Sequence, residues 1–156
     1  MRLPMIIAGF GVLLSAGAAQ AAAPQVEIKD AVARVTVIPE ARSDIKVEIL
    51  TTNGKLPLQV RTAGAKVTID GGLDRKIRSC HGGGAKARVQ VSGVGDVGYA
   101  QMPQIVIRTP RDANVQAGGA VYGVVGKSAS LELSNAGCGD WTVANVAGLL
   151  KLNQAG

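Results

Sequence analysis

The chain has 156 residues, 47% of them hydrophobic, 3% aromatic and 18% charged, with 21 glycines and a formal charge of +6. A chain of one domain's length with about half its residues apolar is not disordered, and glycines without a three-residue period exclude collagen. The basic residues are scattered from Lys29 to Lys151, densest at Arg75-Lys76-Ile77-Arg78 with Lys86 and Arg88 beyond, and the aromatics after Phe10 are Tyr99, Tyr122 and Trp141. A nucleic-acid site wants a continuous basic stripe with aromatic platforms, so no nucleic-acid partner is expected.

Residues 1–21 have the layout of a secretory signal peptide. Arg2 precedes the apolar run Leu3 to Leu14, and Ala19-Gln20-Ala21 forms an A-x-A cleavage site. The run is shorter than the roughly 20 residues of a spanning helix, which argues against an uncleaved anchor. Removal of this segment leaves sixteen basic and eleven acidic residues, a charge of +5, with no membrane span in residues 22–156. The expectation is a single exported all-β domain over 22–156, in the periplasm or at the cell surface.

Short alternation dominates that domain, as in Val26-Glu27-Ile28-Lys29, Arg34-Val35-Thr36-Val37, Ile45 to Ile49, Val67 to Asp70, Arg88 to Val91, Ile105 to Arg108 and Leu131-Glu132-Leu133. Alternation of period two marks half-buried strands. Asn53-Gly54, Asp70-Gly71-Gly72, Gly82-Gly83-Gly84 and Gly118-Gly119 supply turns, and Pro39, Pro57, Pro103 and Pro110 interrupt helix. Residues 25–110 read as irregular, short-stranded β structure, with a β-sandwich as the alternative.

Export also decides the reading of Cys80 and Cys138. An oxidising compartment favours a disulfide, whereas a metal site built from Cys80, His81 and Cys138 lacks a fourth ligand and the close ligand spacing of structural zinc. Gly93-Val94-Gly95-Asp96-Val97-Gly98 matches a dinucleotide-loop pattern, but Pro103 follows where a helix would run. Gly126-Lys127-Ser128 lacks the leading glycine of a phosphate loop, and His81 has no nucleophile-elbow partner. Asp70 with Asp74, and Asp140 with Asn135, are too few ligands for calcium, and Asp140 suits turn formation after Gly139. No cofactor or metal is expected.

Near the C-terminus Ala117-Gly118, Ala136-Gly137 and Ala155-Gly156 recur every nineteen residues. The same shift sets Tyr122 on Trp141, Val124 on Val143, Leu131 on Leu150, Leu133 on Leu152 and Glu132 on Lys151. This predicts β-solenoid coils of about 19 residues over 113–156, with those eight apolar residues as the stacked core. The chain stops where another coil would begin, which predicts a truncated or uncapped end and end-to-end association through its strand edge.

The stretch Asn135-Ala136-Gly137-Cys138-Gly139-Asp140-Trp141-Thr142-Val143-Ala144-Asn145-Val146-Ala147-Gly148 resembles the bacterial head GIN domain family of auto-transporter adhesins, over about residues 104–156. The resemblance implies an exported β-solenoid without catalytic residues. The expected function is a non-enzymatic envelope or surface protein that binds a polymer, surface or envelope partner, with Glu132, Lys151, Thr142 and Lys127 as contact candidates. The alternative is a periplasmic hydrolase or lyase acting on polysaccharide through paired carboxylates, for which no pair stands out among eleven acids.

Overall fold

The computed structural model describes Gly17 and residues 22–156; the rest of residues 1–21, read from the sequence as a signal peptide, lies outside the described residues. Twelve strands follow in order: β1 (Gln25–Glu40), β2 (Lys46–Thr51), β3 (Gln59–Ala63), β4 (Lys66–Asp70), β5 (Ile77–His81), β6 (Arg88–Val91), β7 (Gly95–Gly98), β8 (Gln104–Pro110), β9 (Asp112–Val125), β10 (Ser130–Cys138), β11 (Trp141–Val143) and β12 (Leu150–Ala155). Short 3₁₀ turns at Gly84–Lys86 and Tyr99–Gln101 flank β6 and β7. The alternating segments found in the sequence fall in these strands.

The central strand is β1. It is bent at Asp30, whose φ of 47° lies in the left-handed region that Asp tolerates better than most residues. Opposite the bend, Ile28 pairs with Ala117 but Ala31 with Gly119, so β1 carries one extra residue. A bulge of this kind reverses the parity of the inward positions. Val26 and Ile28 before it, and Ala31, Ala33, Val35 and Val37 after it, all enter one core with Ile69, Ile105, Ile107, Val115, Val121 and Leu131. The two limbs of the bent sheet enclose this core.

Nine strands make the mixed sheet. Parallel β4 and β8 flank the first and second limbs of β1 on one side and β9 lies on the other, followed by β10 and β12, while β11 pairs the second limb of β9. Antiparallel β3 and β2 close the far edges on β4 and β8. Strands β5, β6 and β7 form a separate antiparallel sheet. It packs on the opposite face of β1 and β9, where Val32, Ala120 and Tyr122 meet Leu56, Val89, Val91, Val97 and Met102 in a second core.

These findings correct the solenoid expectation. The chain does not wind in uniform coils: parallel strands are bounded by antiparallel ones, and an antiparallel sheet is inserted and packed across the main one. This all-β arrangement is consistent with the sandwich alternative. The nineteen-residue shift describes one pairing, β10 with β12, where Leu131 faces Leu150 and Leu133 faces Leu152. Between β9 and the next strands the shift is eighteen, so Trp141 faces Gly123 and Val143 faces Val125, not Tyr122 and Val124.

Single-residue slips change faces. Leu131 and Leu133 are buried, and Trp141 and Val143 pack half-buried against them, but Tyr122 belongs to the second core. Val124, Leu150 and Leu152 are 49%, 46% and 55% exposed, and so are not core residues. Gly123 is required by its neighbour, because a Cβ there would enter the Trp141 ring. Gly119 and Gly137 turn successive corners at φ values of 108° and 124°, where a Cβ would collide with the backbone of Ala31 and Gly119.

Cys80 of β5 and Cys138 at the end of β10 form a disulfide that ties the small sheet to the main one, with Cα atoms 6.2 Å apart. Closing a loop of 58 residues contributes about 4 kcal/mol on the chain-entropy account. Joint substitution Cys80→Ser and Cys138→Ser should therefore lower the denaturant midpoint by an amount approaching that figure; unchanged midpoints would contradict the role. Gly123→Ala should cost about 1–3 kcal/mol through overpacking against Trp141, read from the same unfolding curves.

Candidate functional site

The outward face of the second limb is built by register. Glu48, Val106, Thr36, Val124 and Thr142 stand side by side on β2, β8, β1, β9 and β11. At the usual strand spacing this row is about 19 Å long. Its middle is valine and threonine, with Val124 half exposed, and one end carries ions. There Arg108 bonds Glu40 at 3.2 Å, Arg42 bonds Glu40 at 2.7 Å and Asp44 at 3.0 Å, and Lys46 bonds Glu48 at 2.9 Å.

The next row inward is Gln104, Arg34 and Tyr122. The small sheet's edge rises over it and makes a cleft of about 190 Å³, lined by Arg34, Thr36, Tyr99, Gln104, Tyr122, Asp140 and Thr142 among others. Arg34 is half-buried, bonds the Met102 carbonyl through Nε at 3.2 Å, and lies 5.2 Å over the Tyr99 ring. Such a cation–π contact is worth about 0.5–1 kcal/mol near the surface and fixes the guanidinium plane. The terminal nitrogens of Arg34 have no carboxylate within ion-pair distance among the described residues. Tyr99 in turn meets Tyr122 edge to face, ring centres 6.1 Å apart.

Tyr122 is 5% exposed, and its hydroxyl is buried without a hydrogen-bond partner. Native structures leave few such groups unpaired. Burial pushes its phenol above the ordinary tyrosine range, and the nearby Asp140 carboxylate adds to the shift. Asp140 is itself exposed at the rim, beside Gly83 of the glycine loop, and its carbonyl accepts the Gly123 N–H at 2.8 Å.

A second cavity, about 330 Å³, opens beside β12 and is lined by Leu133, Asn135, Trp141, Val143, Leu152 and neighbours. Asn135 donates to Gln154 at 3.2 Å, while its Oδ1 and the Trp141 indole N–H lack partners.

Of the contact residues expected from the sequence, Thr142 lies in the cleft, Glu132 and Lys151 form a 3.2 Å pair on β10 and β12, and Lys127 is exposed beyond β9. Sequence reasoning missed Arg34, Tyr99 and Tyr122 as a group; they lie far apart in the chain, and the register of β1 on β9 alone brings Arg34 beside Tyr122. His81 is exposed and meets Ser79 at 3.2 Å. The pattern at Gly93–Gly98 covers the end of the turn after β6 and the whole of β7. Among the described residues no three His, Cys, Asp or Glu side chains converge as a metal site, and no helix is long and apolar enough to cross a membrane.

No family model matches the chain, and no curated protein does. A solved structure from Clostridium sporogenes, a "putative cell adhesion protein", overlaps 84% of this chain and 92% of its own at 9% identity, with a TM-score of 0.30. That likeness is too slight to carry fold or function across.

Two titrations test these electrostatics. Asp140→Asn should move the Tyr122 phenol back toward the ordinary range without reaching it, because burial is the larger cause; ultraviolet-monitored titration reads this, and no movement would contradict the proximity. Hydrogen bonds from Arg42 and Lys46 hold Asp44 and Glu48 below the ordinary carboxylate range. Folded values below unfolded ones stabilise above the ordinary range, and that contribution is lost as pH falls through the folded values. Melting temperature should fall on acidification below that range, and less so in Asp44→Asn.

Proposed function

We propose that the protein is an exported, non-enzymatic binding protein of the cell envelope or surface, of the adhesin-like kind the sequence resemblance implies. The observation that supports this most is the open row Val106–Thr36–Val124–Thr142, an apolar and hydroxyl-bearing strip set side by side by parallel pairing, three of whose residues line a cleft. The Cys80–Cys138 disulfide fits the oxidising compartment that export reaches. Much of the acid that a polysaccharide hydrolase would use is held by surface cations, as in Glu27 with Lys66 at 2.7 Å and Asp96 with Arg88 at 2.6 Å.

A second contact belongs to the same proposal. The outer edge of β12 is unpaired among the described residues, with Leu149, Leu150 and Leu152 exposed beside the Trp141 cavity. An open edge with apolar side chains accepts another strand, so end-to-end association is proposed there.

Fractionation of cells expressing the full reading frame, with protease added to intact cells, tests the location; a protein kept in the cytoplasm overturns the proposal. Val124→Lys, at an exposed site, should leave the fold intact and reduce retention of the purified protein on isolated envelopes several-fold. Equal retention would remove the strip as the contact.

A further inference from the structure

We infer that the cleft at Arg34 and Tyr122 is a subsite for one carboxylate-bearing sugar unit, a uronate of an acidic polysaccharide. The inference rests on the binding reading above and gives it a ligand class.

Three features of the cleft carry it. Arg34 offers a guanidinium whose orientation is fixed by the Met102 carbonyl and the Tyr99 ring, and whose terminal N–H groups are not spent on a carboxylate among the described residues. A planar fork of that kind takes a carboxylate through two parallel hydrogen bonds. The second is Tyr122, a residue of the cleft wall whose buried hydroxyl has nothing to bond and would be satisfied by a ligand oxygen that the wall gives way to admit. The third is the remaining polar lining, the Thr142 hydroxyl, the Gln104 amide and the Asp140 carboxylate. These groups suit the hydroxyls of a sugar, with Asp140 accepting and Gln104 donating or accepting.

Size and charge narrow the class. A dry cavity of about 150 Å³ holds a benzene ring, so a cleft of about 190 Å³ has room for one six-membered ring. A polymer then has to run outward from the cleft across Thr36, Val124 and Thr142, which line it, toward Val106 in the same row. Asp140 at the rim disfavours a doubly charged phosphate but welcomes a ligand whose single carboxylate lies at Arg34 and whose hydroxyls face Asp140. The charge of +5 over residues 22–156 favours the approach of a polyanion.

The test is calorimetric titration of the purified, oxidised protein with oligogalacturonate, with a neutral oligogalactan and inorganic phosphate as comparisons. Saturable binding of oligogalacturonate is expected, absent for the neutral oligomer and not displaced by phosphate at matching ionic strength. Arg34→Gln should weaken it about tenfold or more. Tyr122→Phe should weaken it several-fold while melting no lower than the wild type, since it deletes an unpartnered buried hydroxyl. A role confined to packing, which the retained ring would still fill, predicts an equally unlowered melting point with unchanged binding. Binding that survives Arg34→Gln, equal affinity for the neutral oligomer, or displacement by phosphate would each overturn the inference. Retention on envelopes that is sensitive to Val124→Lys, without any oligogalacturonate binding, would overturn this inference and leave the binding reading standing; no retention of the wild-type protein on envelopes at all would overturn the reading itself.

Discussion

The docking of the small antiparallel sheet onto the bent main sheet is the constraint on which the rest of the structure depends. Nothing in the three short strands β5, β6 and β7 would hold them alone, since two or three strands without a covered face are marginal in water. Their apolar side meets Val32, Ala120 and Tyr122, and the Cys80–Cys138 bridge holds the two sheets together at one edge of that contact. The cleft exists because the docking is incomplete. Tyr99 and Gly84 come from the turns around the small sheet, whereas Arg34, Tyr122 and Thr142 come from the main sheet, so the candidate site is the seam itself.

The main sheet gives that seam a rigid floor. The inward residues of β1, β8 and β9 are buried almost completely, with Val37, Ile105, Ile107 and Val125 at 0% exposure, while their sequence neighbours form the outer row. Each outward side chain is thus placed by a buried residue on either side of it. The position of Thr36 beside Val124 follows from the pairing of Val35 and Val37, and a binding surface made in this way costs little ordering when a ligand arrives.

How much of this was legible in the sequence follows from what alternation can encode. Strands are read well by period two, and the cysteine pair is read from compartment chemistry. The register is harder. The doublet Gly118-Gly119 allows two alignments with Ala136-Gly137, and matching Gly118 to Gly137 gives a shift of nineteen; the structure matches Gly119 to Gly137, because those two share the corner conformation with positive φ. One residue then moves Val124 from the core to the surface and Tyr122 into the second core. At β12 the register of nineteen agrees with the observed pairing, yet Leu150 and Leu152 are exposed, because pairing on one edge does not cover a side chain. The bend of β1 was hidden for a related reason: an Asp at positive φ looks in sequence like any polar position between two strands. Arg34 and Tyr99 carried no signal at all, since their contact is made by docking and not by spacing.

Amide hydrogen exchange, followed residue by residue in the oxidised protein and again after reduction of Cys80–Cys138, tests the central claim most directly. The account predicts that reduction lowers protection in β5, β6 and β7 and perturbs the amides of Tyr99 and Tyr122, while the parallel core of β1, β9 and β10 keeps its slow exchange. Protection that falls equally in both sheets, or that does not change in the small one, would contradict the claim that the bridge holds the seam.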